Sequence, residues 1–130
     1  MKIYVKPLLA VADELKVKAA VHITGDAYLK FGNLTRFSKG IGFEFNNFSP
    51  QPIFELIQKT ASELGGAIVD EEMFKTFNMG WGFAAIVNEA DGDKAVDVFG
   101  KTGVQAEQIG FVTDSEGIKI RYKNRKIILK

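Results

Sequence analysis

The side chains best able to do chemistry begin at Val21-His-Ile-Thr-Gly25, where the only histidine stands two residues before a hydroxyl. An imidazole with an ordinary pKa of ~6.5 exchanges a proton near neutral pH, and its two nitrogens can donate and accept at once. Between Val21 and Ile23, His22 also reads as a buried histidine with its hydrogen bonds satisfied, and the pattern leaves both readings open. Thr24 and Gly25 can present a hydroxyl and a bare backbone N–H to a phosphate at a following helix N-terminus. Asp26 opposes that, because its charge repels an anion unless it faces away or caps the next helix. Phe77-Asn-Met-Gly-Trp-Gly82 places an amide between aromatics, ahead of two glycines, at a helix-to-strand junction. Asn78 can itself take a left-handed helix cap, so capping stands beside ligand contact there, and Gly80 allows close backbone approach.

Other charged residues have simpler explanations. Glu71 and Glu72 are neighbours on a helix, about 100° apart around its axis, and so cannot converge on one substrate atom. From Ile118 onward, Lys119, Arg121, Lys123, Arg125, Lys126 and Lys130 have no acidic neighbours. Lys119, Arg121 and Lys123 alternate with Ile118, Ile120 and Tyr122, which predicts an exposed, lysine-rich strand edge that discourages aggregation. A stacking surface for nucleic acid needs interleaved aromatics, and Tyr122 is the single one available, so no nucleic-acid partner is expected.

The elements that must hold these residues follow from apolar spacing. Pro7 sits in the first turn of a helix through Leu8, Leu9, Val11, Ala12 and Leu15, ending near Lys16. Lys18 to Thr24 reads as a largely buried strand stopped by Gly25, and Ile41 to Asn46 as a half-buried one with Phe43 and Phe45 on one face. Ser49-Pro50 predicts a helix start, with Gln51 and Pro52 in the first turn and Gly65-Gly66 as the stop. Asp70 is placed to cap a short helix running to about Phe77. Trp81 to Val87 has strand length, Asp93 to Lys101 helical spacing closed by Gly103, and the remainder short strands turning near Asp114–Gly117 and Lys123–Arg125. Alternating strands and helices predict an α/β or α+β architecture with a mixed sheet.

Composition narrows the function classes. The 130 residues are 46% hydrophobic and 25% charged, which predicts one domain spanning 1–130 with its own core. Seventeen Lys and Arg against sixteen Asp and Glu leave a net charge of +1, too little for a global field that steers polyanions or membrane surfaces. There is no cysteine, which excludes thiolate nucleophiles, sulfur-based zinc sites and disulfides. Apolar runs stop well short of a membrane span and the start is charged, so a cytoplasmic location without membrane contact is expected.

Ile3-Tyr-Val-Lys-Pro7, His22-Ile-Thr-Gly25, Pro52-Ile-Phe54, Glu72-Met73 and Thr76-Phe-Asn-Met-Gly80 occur together in an order and spacing that resemble the C-terminal half of phosphoribosylformylglycinamidine cyclo-ligases. The resemblance runs from Ile3 into Gln108-Ile-Gly110. It implies an α+β, three-layer α/β/α domain, partly ferredoxin-like, with a mixed sheet. It further implies ATP-dependent closure of the imidazole ring of formylglycinamidine ribonucleotide in purine synthesis, giving aminoimidazole ribonucleotide, ADP and phosphate. ATP and magnesium would be held mainly by an N-terminal half that this chain lacks, and the complete enzyme would be a homodimer. Carried over by position, His22 and Asn78 are the catalytic candidates, and Thr24, Gly25, Asp26 and Gly80 the substrate-binding ones; no metal ligand is expected in this chain. The family commonly continues the loop with two more glycines where this chain has Asp26-Ala27, leaving Asp26 to cap a helix, bind a ribose hydroxyl or meet a magnesium-bound water. The rival expectation is a stand-alone, non-catalytic module of the same fold that binds a nucleotide or phosphoribosyl compound.

Overall fold

The computed structural model describes residues 2–47 and 49–130. In chain order it holds α1 (Val5–Glu14), β1 (Val17–His22), a 3₁₀ segment (Ala27–Arg36), β2 (Gly42–Phe45), α2 (Pro52–Glu63), α3 (Asp70–Thr76), β3 (Phe83–Val87), a 3₁₀ turn (Glu89–Asp91), α4 (Gly92–Lys101), β4 (Gly110–Thr113), β5 (Gly117–Tyr122) and β6 (Arg125–Leu129). Helices combine with a sheet of mixed direction, the α+β class expected. The chain forms two compact units, one from the residues up to His22 with Phe83–Gln108, the other from Ile23–Gly82 with Ile109–Lys130.

In the first unit β1 and β3 pair antiparallel, with His22 opposite Phe83 and an irregularity between Val17 and Ala19. Val11 of α1 packs with Ala95 and Val98 of α4, and Leu15, Val17, Val87 and Phe99 close around them. Helix α1 starts two residues before Pro7, which places the proline in the first turn as expected. The first helical turn has no use for its N–H groups, so a proline there costs no hydrogen bond, and Leu8 N–H already reaches Tyr4 O at 2.9 Å. Strand β1 alternates exposed residues with half-buried Val17 and Ala19 and buried Val21, so the largely buried strand read from its apolar run is not found.

In the second unit the strand order is β4-β2-β5-β6, with β2 and β5 parallel and the other pairs antiparallel. Phe43 and Phe45 lie buried on one face, with Ile118, Ile120 and Tyr122 of β5 and Leu129 of β6. Strand β5 lies between two others, so its alternating bases occupy a sheet face and are not the edge expected for them. The face opposite the core carries Glu44, and Arg121 bonds it at 2.6 Å. Helix α2 starts at Pro52, later than Ser49-Pro50 suggested. The residue before a proline is driven to extended backbone, and Gln51 accordingly sits at φ −64, ψ 147. Asp70 is the first helical residue of α3 and caps nothing; Val69 holds the cap position.

The helix considered after Gly25 forms as a 3₁₀ segment. Its turn of about three residues stacks every third side chain, and Tyr28, Phe31 and Leu34 have that spacing. The Tyr28 and Phe31 rings consequently lie 6.1 Å apart at an interplanar angle of only 8°.

Candidate functional site

Strand β1 ends at His22, and the chain leaves it for a tight turn. Ala27 N–H reaches Thr24 O at 2.7 Å, and Leu29 N–H reaches Asp26 O at 2.9 Å. Asp26 has φ 62 and ψ 1, in the left-handed region that the third position of a type II turn reserves for glycine or asparagine. Ala27 follows at φ 40, so two successive side-chain-bearing residues take positive φ. Each costs roughly 1–2 kcal/mol against a relaxed backbone. Asp26 precedes the 3₁₀ segment, but its side chain makes no cap hydrogen bond, which removes the capping role considered for it. Its carboxylate stays exposed. Gly25 is not left-handed, and a Cβ built on it would meet nothing within 4 Å. Neither strain nor packing therefore requires that glycine; the space beside it is open.

Lys30 donates to the Thr24 hydroxyl oxygen, which turns the hydroxyl hydrogen outward as a second donor at the same loop. Sequence spacing alone does not mark this lysine, because its approach to Thr24 depends on the 3₁₀ path between them.

The junction after α3 holds the other candidates. Helix α3 ends with Phe77 extended, and the residue that adopts the left-handed conformation is Met79 at φ 57, not Asn78. Burial of Met79 to 2% exposure secures that conformation, since a thioether side chain fills the core from it. Gly80 follows at φ 110, with Gln51 Cγ 3.2 Å from where a Cβ would stand. Asn78 Oδ1 accepts the Gly80 N–H at 2.9 Å, leaving the side-chain amide nitrogen as a donor. The Asn78 carbonyl accepts the Trp81 N–H at 3.1 Å and the Tyr28 hydroxyl at 2.8 Å. Through Tyr28 the second unit joins the Thr24–Asp26 turn to the Asn78–Gly80 turn. Burial pushes the Tyr28 phenol well above its ordinary pKa, so it remains a neutral donor.

His22 belongs to the first unit and is exposed, contrary to the buried reading. Its ring meets Tyr4 edge-on at 6.0 Å and Phe83 at 6.3 Å, while Tyr4 and Phe83 stack at 5.1 Å. The imidazole is thus steadied by aromatic contacts and open to solvent.

A further polar cluster lies at the start of α3. Asp70 is clasped by Arg125, accepts a bond from Gln58 at 2.8 Å and has Lys123 at 4.0 Å. Beside it an open groove of about 510 Å³ is lined by Val69, Glu71, Lys126 and Ile128 among others. Among the described residues no three His, Cys, Asp or Glu side chains converge as a metal ion requires. No described helix is long and apolar enough to cross a membrane.

The sequence matches the family described as AIR synthase related protein, C-terminal domain, over residues 1–123. Phosphoribosylformylglycinamidine cyclo-ligase of Methanococcus maripaludis is 36% identical over 140 aligned positions, covering 99% of this chain and 38% of the relative. The protein of the same name from Methanocaldococcus jannaschii is 38% identical over 141 positions, with coverage of 99% and 38%. That of Caldicellulosiruptor saccharolyticus is 39% identical over 119 positions, covering 89% of this chain and 33% of the relative. The chain spans 38% of the length of the first of these curated relatives.

Proposed function

The chain belongs to the family of AIR synthase related C-terminal domains, and from that premise we propose that it is the substrate-side domain of an ATP-dependent cyclo-ligase. The reaction is closure of the imidazole ring of formylglycinamidine ribonucleotide to aminoimidazole ribonucleotide, with ADP and phosphate as the other products. The setting we propose is the cytoplasm, and the complete enzyme a homodimer.

The observation that carries this reading is the union of two strained polar turns through Tyr28, in a chain whose relatives bear the cyclo-ligase name. ATP supplies the phosphoryl group that activates the formyl oxygen; with magnesium it is held outside this chain, in the part of the enzyme that the relatives carry in addition. Within the chain, the Thr24 hydroxyl and the Lys30 ammonium offer donors to a substrate anion, and the open space at Gly25 lets that anion approach the backbone. The free amide donor of Asn78 is suited to an oxygen that gains negative charge as the ring closes. The imidazole of His22 handles the proton of the attacking nitrogen. Asp26 accepts from a ribose hydroxyl, the role its exposed carboxylate retains, and Gly80 lets the substrate lie close to the main chain.

The test is turnover of formylglycinamidine ribonucleotide with ATP and magnesium, using the chain alone and the chain mixed with the N-terminal part of the Methanocaldococcus jannaschii relative. Activity is expected in the mixture only. Absence of turnover in the mixture, with both proteins folded, overturns the catalytic reading in favour of a non-catalytic phosphoribosyl-binding module.

A further inference from the structure

We propose that Tyr28 is a positioning residue whose hydroxyl holds the Asn78–Gly80 turn in place against the Thr24–Ala27 turn. The inference rests on the functional reading above for its ligand, and on geometry alone for the positioning.

The ring of Tyr28 is wholly buried. It packs against Phe31 at 6.1 Å, Phe45 at 5.3 Å and Phe74 at 5.7 Å, so it cannot swing to another rotamer without opening the core. Its neighbours in that cluster are phenylalanines, which fill the same space without a polar atom. A buried hydroxyl is costly unless it is bonded, and this one donates to the Asn78 carbonyl at 2.8 Å. That carbonyl sits at the base of the turn in which Met79 and Gly80 take positive φ in succession. The same oxygen receives the Trp81 N–H, and the Asn78 side chain receives the Gly80 N–H.

Burial of Met79 anchors the middle of the turn, while the Tyr28 hydroxyl reaches its first residue from outside the local chain. Tyr28 also directly follows Ala27, whose N–H closes the other turn onto Thr24. A displacement of the phenol thus moves the two turns relative to each other, and with them the Asn78 amide and the Thr24 hydroxyl. Burial keeps the phenol protonated throughout the working pH range, so the donor is always present.

Tyr28→Phe removes the hydroxyl and keeps the ring. Amide hydrogen exchange at Gly80 and Trp81 is expected to quicken about tenfold or more, while Ile120 in β5 keeps its protection. The affinity for formylglycinamidine ribonucleotide, read by calorimetry on the 130-residue chain, is expected to weaken about tenfold. Phe43→Leu serves as the control: it loosens the same core without touching Asn78, and should leave that affinity unchanged. Unchanged exchange at Gly80 and Trp81 in Tyr28→Phe overturns the proposal, as does unchanged affinity where the unaltered chain binds. If the unaltered chain binds no formylglycinamidine ribonucleotide, the functional reading fails while the exchange result still decides the positioning role. If Tyr28→Phe does not fold, the unaltered chain decides by NMR. A Tyr28 hydroxyl proton slow enough to observe, with a nuclear Overhauser contact to the Trp81 amide, upholds the bond, and its absence overturns it.

Discussion

At Asp70 a carboxylate whose side chain is 8% exposed faces Arg125, Lys123 and the Gln58 amide. Asp70→Ala removes the shared acceptor and should cost about 2 kcal/mol, measured by urea unfolding. Arg125 is 67% exposed, so solvent screens its share and Arg125→Ala should cost nearer ~1 kcal/mol. A double mutant no less stable than Asp70→Ala alone would show that the two act on one another. Tyr28 makes a pH prediction whose sign is definite. Its folded pKa is raised above the ordinary 10.0, so the phenol stays protonated in the native state while the unfolded chain ionises. Stability from this residue is complete below pH 10 and falls above it by about 1.4 kcal/mol per pH unit. Tyr28→Phe should flatten that alkaline limb. Asp70 was legible in the sequence as an acid at a helix start. Its burial was not, because Gln58 and Arg125 stand 12 and 55 residues away.

Among the elements, the 24–27 turn is where local conformation and residue type disagree most. Asp26→Gly removes a left-handed residue with a Cβ and should raise stability by about 0.5–1 kcal/mol in thermal unfolding. The same substitution should weaken ligand binding if the Asp26 carboxylate accepts from a ribose hydroxyl; tighter binding would instead mean that its charge repels the ligand. The β5–β6 hairpin offers a parallel case, because Lys123 and Asn124 have φ 49 and 59, the primed turn that twists with the strands. Asn124→Gly should stabilise it by a few tenths of a kcal/mol, visible as a higher midpoint in urea. Helix α2 shows what periodicity leaves undecided. Its apolar residues have helical spacing, yet none is buried, and Ile53 and Leu56 are half exposed. Spacing reports that a helix has an apolar face, whereas the amount of that face covered depends on what lies opposite.

For the whole molecule, a net charge of +1 provides no long-range field, so association with an anionic ligand should depend on local donors. Raising salt from about 0.05 to 0.3 M is expected to change the affinity for formylglycinamidine ribonucleotide less than about tenfold, whereas polyanion binding through the basic strands would fall far more steeply. Titration calorimetry at the two salt concentrations measures this. The α+β class, the positions of most helices and strands, the shared face of Phe43 and Phe45, and the turns at Gly65, Gly103 and Lys123–Arg125 were determined by sequence alone. They depend on neighbours three or four residues away, on alternation, or on backbone freedom, all of which are local. The Tyr28, Phe31 and Leu34 spacing was present in the sequence too, but a period of three belongs to a rarer helix and carried no expectation. Tertiary structure alone decided the rest. It placed His22 in the first unit and exposed it, paired Asp70 with Arg125, moved the left-handed conformation from Asn78 to Met79, and brought the Tyr28 hydroxyl to a carbonyl 50 residues on. Those outcomes depend on buried groups finding partners through space, and a buried donor is satisfied by whichever acceptor the packed chain brings within reach.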